Sequence, residues 1–250
     1  MFPFDADCWD LEYFSQDQLA TVSQDVRSAP GPDGHSGGAL QLHGTFDSYI
    51  EIPNGPHGPA DAERSITLLA FIFPTGRGGP IVSYDIDGLG VQLMHEESDG
   101  EMGVLAASFI QRDLTAPAAP LRAPVLTMNE WNFVGASYDD SSGMARLWHN
   151  GNEVEVVPIG QSLGLATQFP IRIGALASPG QSFYFRGRIS HLHIYAEALT
   201  AENIRAVGGI PQQFAQGRSP LYVSLRTKFP HLAFVVFLLV CSFVCFLAAT

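Results

Sequence analysis

The chain has 250 residues and a formal net charge of −12, with an isoelectric point near 4.9. That acidity excludes nucleic acid as a partner, because such binding rests on Lys and Arg neutralising phosphates. Apolar content of 46% with 17 Phe can fill a large core, and 25 Gly with 17 Pro supply the many turns of an all-β chain.

In chain order, Trp9-Asp10-Leu11-Glu12 reads as a short edge strand, followed by a polar stretch and the loop Ala29-Pro30-Gly31-Pro32-Asp33-Gly34. Strands are predicted at Leu40–Leu42, Ser48–Ile52, Ser65–Phe73, Gly79–Tyr84, Gly88–Met94 and Val104–Arg112, separated by Gly, Pro, Asp and Ser clusters. Ser65–Phe73 is nearly continuously apolar, which suits a central strand covered on both faces. Ala116–Pro124, with its prolines and alanines, reads as a crossover loop between sheets.

The strongest local signal follows. Trp131–Tyr138, Met144–His149 and Asn152–Val157 have strand composition and are joined by Asp139-Asp140-Ser141-Ser142-Gly143 and by Asn150-Gly151. Asn-Gly tolerates the positive φ that a type I′ turn needs at both central positions. Loops this short force antiparallel neighbours, so the segment is a three-stranded meander. Strands at Ile171–Ala175 and Phe183–Tyr195 come next, and then a helix over Ala201–Val207 with Thr200 as its N-cap. The whole predicts one all-β, two-sheet antiparallel sandwich over residues 1–209.

Residues 210–230 form a linker with Pro211, Pro220 and Pro230 and a basic cluster of Arg218, Arg226 and Lys228. Residues 231–250 contain the uncharged run Leu232–Ala249, whose eighteen residues would span ~27 Å as a helix, enough for the hydrocarbon core of a bilayer. A C-terminal transmembrane or membrane-anchor helix is therefore expected. Its upstream basic residues fit a tail-anchored protein with a cytosolic domain. Small residues at Gly217 and Ser219 fit a cleaved lipid-anchor signal instead.

The first ten residues have neither a basic flank nor an apolar run and do not make a signal peptide, and an incomplete N-terminus explains this equally well. Of the three cysteines, Cys8, Cys241 and Cys245, only Cys8 belongs to the sandwich, so no disulfide forms within it.

The pattern Trp131-x-x-Val134 through Tyr138-Asp139, then Gly143, Leu147, Trp148 and Asn150-Gly151, resembles the laminin-G-like and pentraxin-like domains of the concanavalin A-like lectin/glucanase superfamily. Gly37-Gly38-Ala39-Leu40 with Gly44–Pro53, Ile171–Gly174, Phe185–Ile189 with Ile194-Tyr195, and Ala198–Ile204 are similar to further motifs of these domains. The resemblance covers roughly Trp9 to Val207. It implies a jelly roll, an extracellular domain at the cell surface, and noncatalytic recognition of a glycan or protein through loops at one rim. It also implies a calcium site at Asp85 and Asp87, where pentraxin-like members carry an acidic and amide pair. Calcium takes about six to eight oxygen ligands. The second acidic loop of the family is here Ala175–Ser182, which has no carboxylate, and Asp85-Ile86-Asp87-Gly88 also reads as a hairpin turn. Calcium is thus a candidate cofactor, with the turn as the favoured reading.

An enzymatic reading rests on Glu97-Ser98-Asp99-Gly100-Glu101, whose spacing equals the catalytic strand of lichenase-type glucanases in the same superfamily. The intervening Ser and Gly are turn residues, and solvated carboxylates in a turn would not have their pKa values driven apart as hydrolysis requires. No enzymatic activity is expected. A self-associating adhesion module is a third reading. His191 and His193 alternate with Leu192 and Ile194, so both imidazoles are expected on a solvated face, without the further ligands zinc needs. His149, Trp148 and Tyr138 could form an aromatic sugar platform, but aromatics on meander strands are more often core.

Overall fold

The computed structural model describes residues 20–84, 89–115, 120–176 and 183–209. The expected edge strand at Trp9, the linker and the apolar segment 231–250 lie outside these residues. Among the described residues no helix is long and apolar enough to cross a membrane.

Two seven-stranded antiparallel sheets pack face to face. The first contains β1 (Thr21–Val22), β4 (Ile50–Ile52), β13 (Ile171–Ile173), β6 (Gly79–Tyr84), β7 (Gln92–Glu96), β8 (Gly103–Ser108) and β9 (Leu121–Leu126), in that order across the sheet. The second runs β12 (Asn152–Pro158), β11 (Met144–His149), β10 (Asn132–Asp139), β5 (Ile66–Pro74), β14 (Arg186–Tyr195), β3 (Ala39–His43) and β2 (Arg27–Ala29). Inward-facing residues alternate along each strand and meet in one core, with Leu40, Ile52, Leu68, Ile72, Val82, Leu93, Leu105, Val134, Leu147 and Ile189 among its members.

The meander stands where the turn chemistry put it. Asn150 and Gly151 have φ of 50° and 76°, the pair of positive values a type I′ turn demands. Asn150 Oδ1 also accepts the Phe133 N–H at 3.0 Å, fastening the turn to the next strand.

Three expectations need correction. Ala116–Pro124 is not wholly a crossover loop, because Leu121–Leu126 pairs with β8 as the edge strand β9. Pro124 is tolerated there because an edge strand leaves one side unpaired and its missing N–H breaks no ladder. The strand expected to reach Arg112 stops at Ser108. The polar stretch before residue 30, which carries no hydrophobic alternation, nevertheless supplies the short edge strands β1 and β2.

Helix α1 (Ala201–Gly208) follows β14, with Thr200 Oγ1 accepting the Asn203 N–H as N-cap. It lies on the outer face of the second sheet, where Leu199 and Ile204 close over Leu69, Phe71, Phe133 and Trp148. The strand directions define two rims. The β2–β3, β4–β5, β6–β7, β8–β9, β10–β11 and β12–β13 connections form the upper rim. The β1–β2, β3–β4, β5–β6, β7–β8, β9–β10, β11–β12 and β13–β14 connections form the lower one.

Candidate functional site

The outer face of the first sheet carries a polar row just below the upper rim. Cross-strand partners link Thr21 to Glu51, Glu51 to Arg172, Arg172 to Ser83, Ser83 to Gln92 and Gln92 to Ser108. Each is an outward position, since its strand neighbours Ile52, Ile171, Tyr84, Leu93 and Ala107 point into the core. The row therefore crosses six adjacent strands at one height. Arg172 Nε donates to Glu51 Oε2 at 2.7 Å, and its guanidinium lies 4.2 Å from the centre of the Tyr49 ring. This places the guanidinium over an aromatic face. Ser83 is fully buried, and its Oγ has no hydrogen-bond partner among the described residues. A buried hydroxyl in that state suits a polar group brought by water or ligand.

The loops above the row are cross-linked by one carboxylate. The Asp61 side chain is wholly buried. It accepts Arg112 Nη1 and Nη2 at 2.9 and 2.8 Å, Thr167 Oγ1 at 2.7 Å and the His57 backbone N–H at 2.8 Å. The β4–β5, β8–β9 and β12–β13 connections are thereby tied together. Tyr84, at the upper end of β6, joins them by donating to Ala60 O at 2.8 Å. Burial alone would raise the Asp61 carboxyl, but the hydrogen bonds from Arg112, His57 and Thr167 outweigh it and hold the group below the ordinary carboxylate range. Burial, and then the Asp61 charge, push the Tyr84 hydroxyl upward.

His57, Asp61 and Glu63 bring three metal-type donor atoms within 4.8 Å of one another. They do not fit a metal. Both Asp61 oxygens are already occupied by four donors, and the Arg112 guanidinium stands where a cation would sit, 3.8 Å from Glu63. Asp85 and Asp87, the calcium candidates, lie outside the described residues, which resume at Leu89.

The other candidates resolve individually. Glu97, Asp99 and Glu101 lie in the turn between β7 and β8, and Glu97 is exposed beside Arg77, so they form no catalytic strand. His191 and His193 do lie on the outer face of the second sheet, but His193 is buried and stacks on Tyr195, correcting the solvated-face expectation. A β-bulge at Ser190–His193 and the positive φ of His191 break the simple alternation. Burial, reinforced by His191, holds His193 well below the usual histidine range. Trp148 is covered by α1 and donates to Ser137 Oγ at 2.9 Å, while Tyr138 lies in the inner core, so the aromatic platform does not form.

A laminin G-type family model, described as the concanavalin A-like lectin/glucanases superfamily, matches residues 43–205. The chain belongs to this superfamily. No curated protein sequence matches it. Among solved structures, the concanavalin A-like domain is similar to the binding domain of Paraclostridial mosquitocidal protein 1, at TM-score 0.60 and 13% identity, over 78% of this chain and 48% of that one. It is also similar to the binding domain of botulinum neurotoxin serotype G, at TM-score 0.58 and 14% identity, over 77% of this chain and 46% of that one. A SAP-like pentraxin from Limulus polyphemus gives TM-score 0.53 and 17% identity, over 68% of this chain and 81% of that one. The chain thus spans less than half the length of either toxin binding domain. At these identities the likeness concerns the fold.

Proposed function

We propose that this concanavalin A-like domain is a noncatalytic recognition module that binds a glycan at the cell surface. In this reading the domain faces outward and is attached to the membrane through residues 231–250. The observation that carries it is the polar row of Thr21, Glu51, Arg172, Ser83, Gln92 and Ser108. Its one acid and one base pair with each other, so the row favours an uncharged, hydroxyl-rich ligand over an anion. Tyr49 and Arg172 offer a surface for a sugar ring, and the Thr21 and Ser108 hydroxyls, which are not buried, offer directional bonds to its hydroxyls. The loops fixed by Asp61 reduce the ordering cost of binding at this edge.

Solubilised full-length chain on a glycan array, compared with Arg172→Met and Thr21→Ala variants, tests the proposal. Binding by the native chain that falls at least about tenfold in the variants, the loss of roughly 1.4 kcal/mol, supports it. Equal binding by all three, or release of cleaved β-glucan by the native chain, removes it. Calorimetric titration of calcium into the native chain and an Asp85→Asn/Asp87→Asn variant decides whether those carboxylates add a metal site.

A further inference from the structure

We propose that the lower rim of the sandwich rests on the membrane surface, with Phe46 and Phe183 seated among the lipid headgroups, so that the polar row beneath the upper rim is held away from the bilayer. This inference rests on the membrane-attachment reading of residues 231–250.

Two independent observations point to this rim. The first is its apolar surface. Phe183 is 59% exposed, Phe46 45% and Met102 43%, and all three lie in lower-rim connections. Phe46 meets Tyr184 edge to face at 6.4 Å. Gly79 lies against the backbone of Tyr184 and Phe185, and Gly78 against that of His95 and Glu97, so the β13–β14, β5–β6 and β7–β8 connections adjoin one another. Among the described residues, the exposed large apolar residues of the upper rim, Leu89 and Leu114, are aliphatic. Phe is among the apolar side chains that bury at the headgroup–acyl boundary, and two such rings share this rim.

The second observation is where the described residues end. The helix begins at the upper rim, where Thr67 Oγ1 donates to Glu197 O and accepts the Leu199 N–H. It ends at the lower rim, with Gly208 against Phe133 and Arg205 against Gly151. The last described residues, Gly208 and Gly209, therefore lie at the rim that bears the exposed rings. Tethering raises the effective concentration of that rim at the surface, so a contact of a few rings is enough to orient the domain. With a net charge of −12, an anionic leaflet would repel the chain, which makes a zwitterionic surface the fitting partner.

The test uses the full chain in phosphatidylcholine nanodiscs with lipids brominated near the headgroup end of the acyl chains. Phe183→Trp and Leu114→Trp are compared with the native background of Trp9, Trp131 and Trp148. Brominated lipid should lower the emission added by Phe183→Trp, an indole seated at the membrane interface, and leave that added by Leu114→Trp unchanged. Chain that incorporates into discs but shows equal quenching at both positions overturns the orientation alone. Chain that fails to incorporate overturns the membrane reading and this inference with it.

Discussion

Asp61→Asn isolates the tie among the upper-rim loops, because the amide keeps the shape of the carboxylate and removes its charge. The native side chain accepts four hydrogen bonds, two of them from Arg112. An amide can accept at its oxygen alone, so its NH2 group must confront donors on the other side. Losing the charge-assisted pair costs about 1.5–3 kcal/mol and leaving a buried donor unmatched a further 1–3 kcal/mol or so. The Arg112 side chain is 30% exposed and can recover part of its share from water, which places the expected loss at roughly 2–4 kcal/mol. For a chain of this size each kcal/mol moves Tm by about 2–4 °C, so urea and thermal unfolding should both register the change clearly. The acid dependence provides a second readout. Because the folded Asp61 carboxyl sits below the ordinary value of 3.8, its stabilisation is complete above that pH and fades as pH falls through the lowered folded value. The gap between native and variant should hold near neutrality and narrow only in strong acid. A loss below about 0.5 kcal/mol at pH 7, the usual size of a surface substitution, would refute the reasoning.

His193 is held neutral by burial, so the unfolded chain binds its proton more readily. Stability should therefore decline as pH drops below about 6.5, with His193→Gln flattening that slope in unfolding measurements. Thr200→Ala should cost about 1 kcal/mol in urea unfolding through the lost N-cap bond to Asn203. Trp148→Ala should cost about 3–5 kcal/mol, since it empties the space beneath α1 and abandons Ser137 Oγ. Amide exchange within the helix should rise with it.

The meander and the capped helix were legible because their signals are local. Asn150-Gly151 and Thr200 dictate backbone geometry within a few residues of themselves. The tie at Asp61 was not, because its partners Arg112 and Thr167 stand 51 and 106 residues away, and no spacing rule joins them. Periodicity placed His191 and His193 on the outer face but could not reveal that the second apolar cluster and α1 cover part of that face. The polar row was hidden for the same reason, since its members come from six strands and align only through the register of the sheet. Leu121–Leu126 escaped because whether a proline can be tolerated depends on the strand's place at a border, which is a property of topology.

That border has a bearing on how the molecule behaves at high concentration. An incoming chain trying to extend the first sheet at β9 would find Pro124 with no hydrogen to donate and Arg122 tied to Glu96 beside it. Such a margin resists templated zippering, so crowding alone should not convert the sandwich into fibrils from that side.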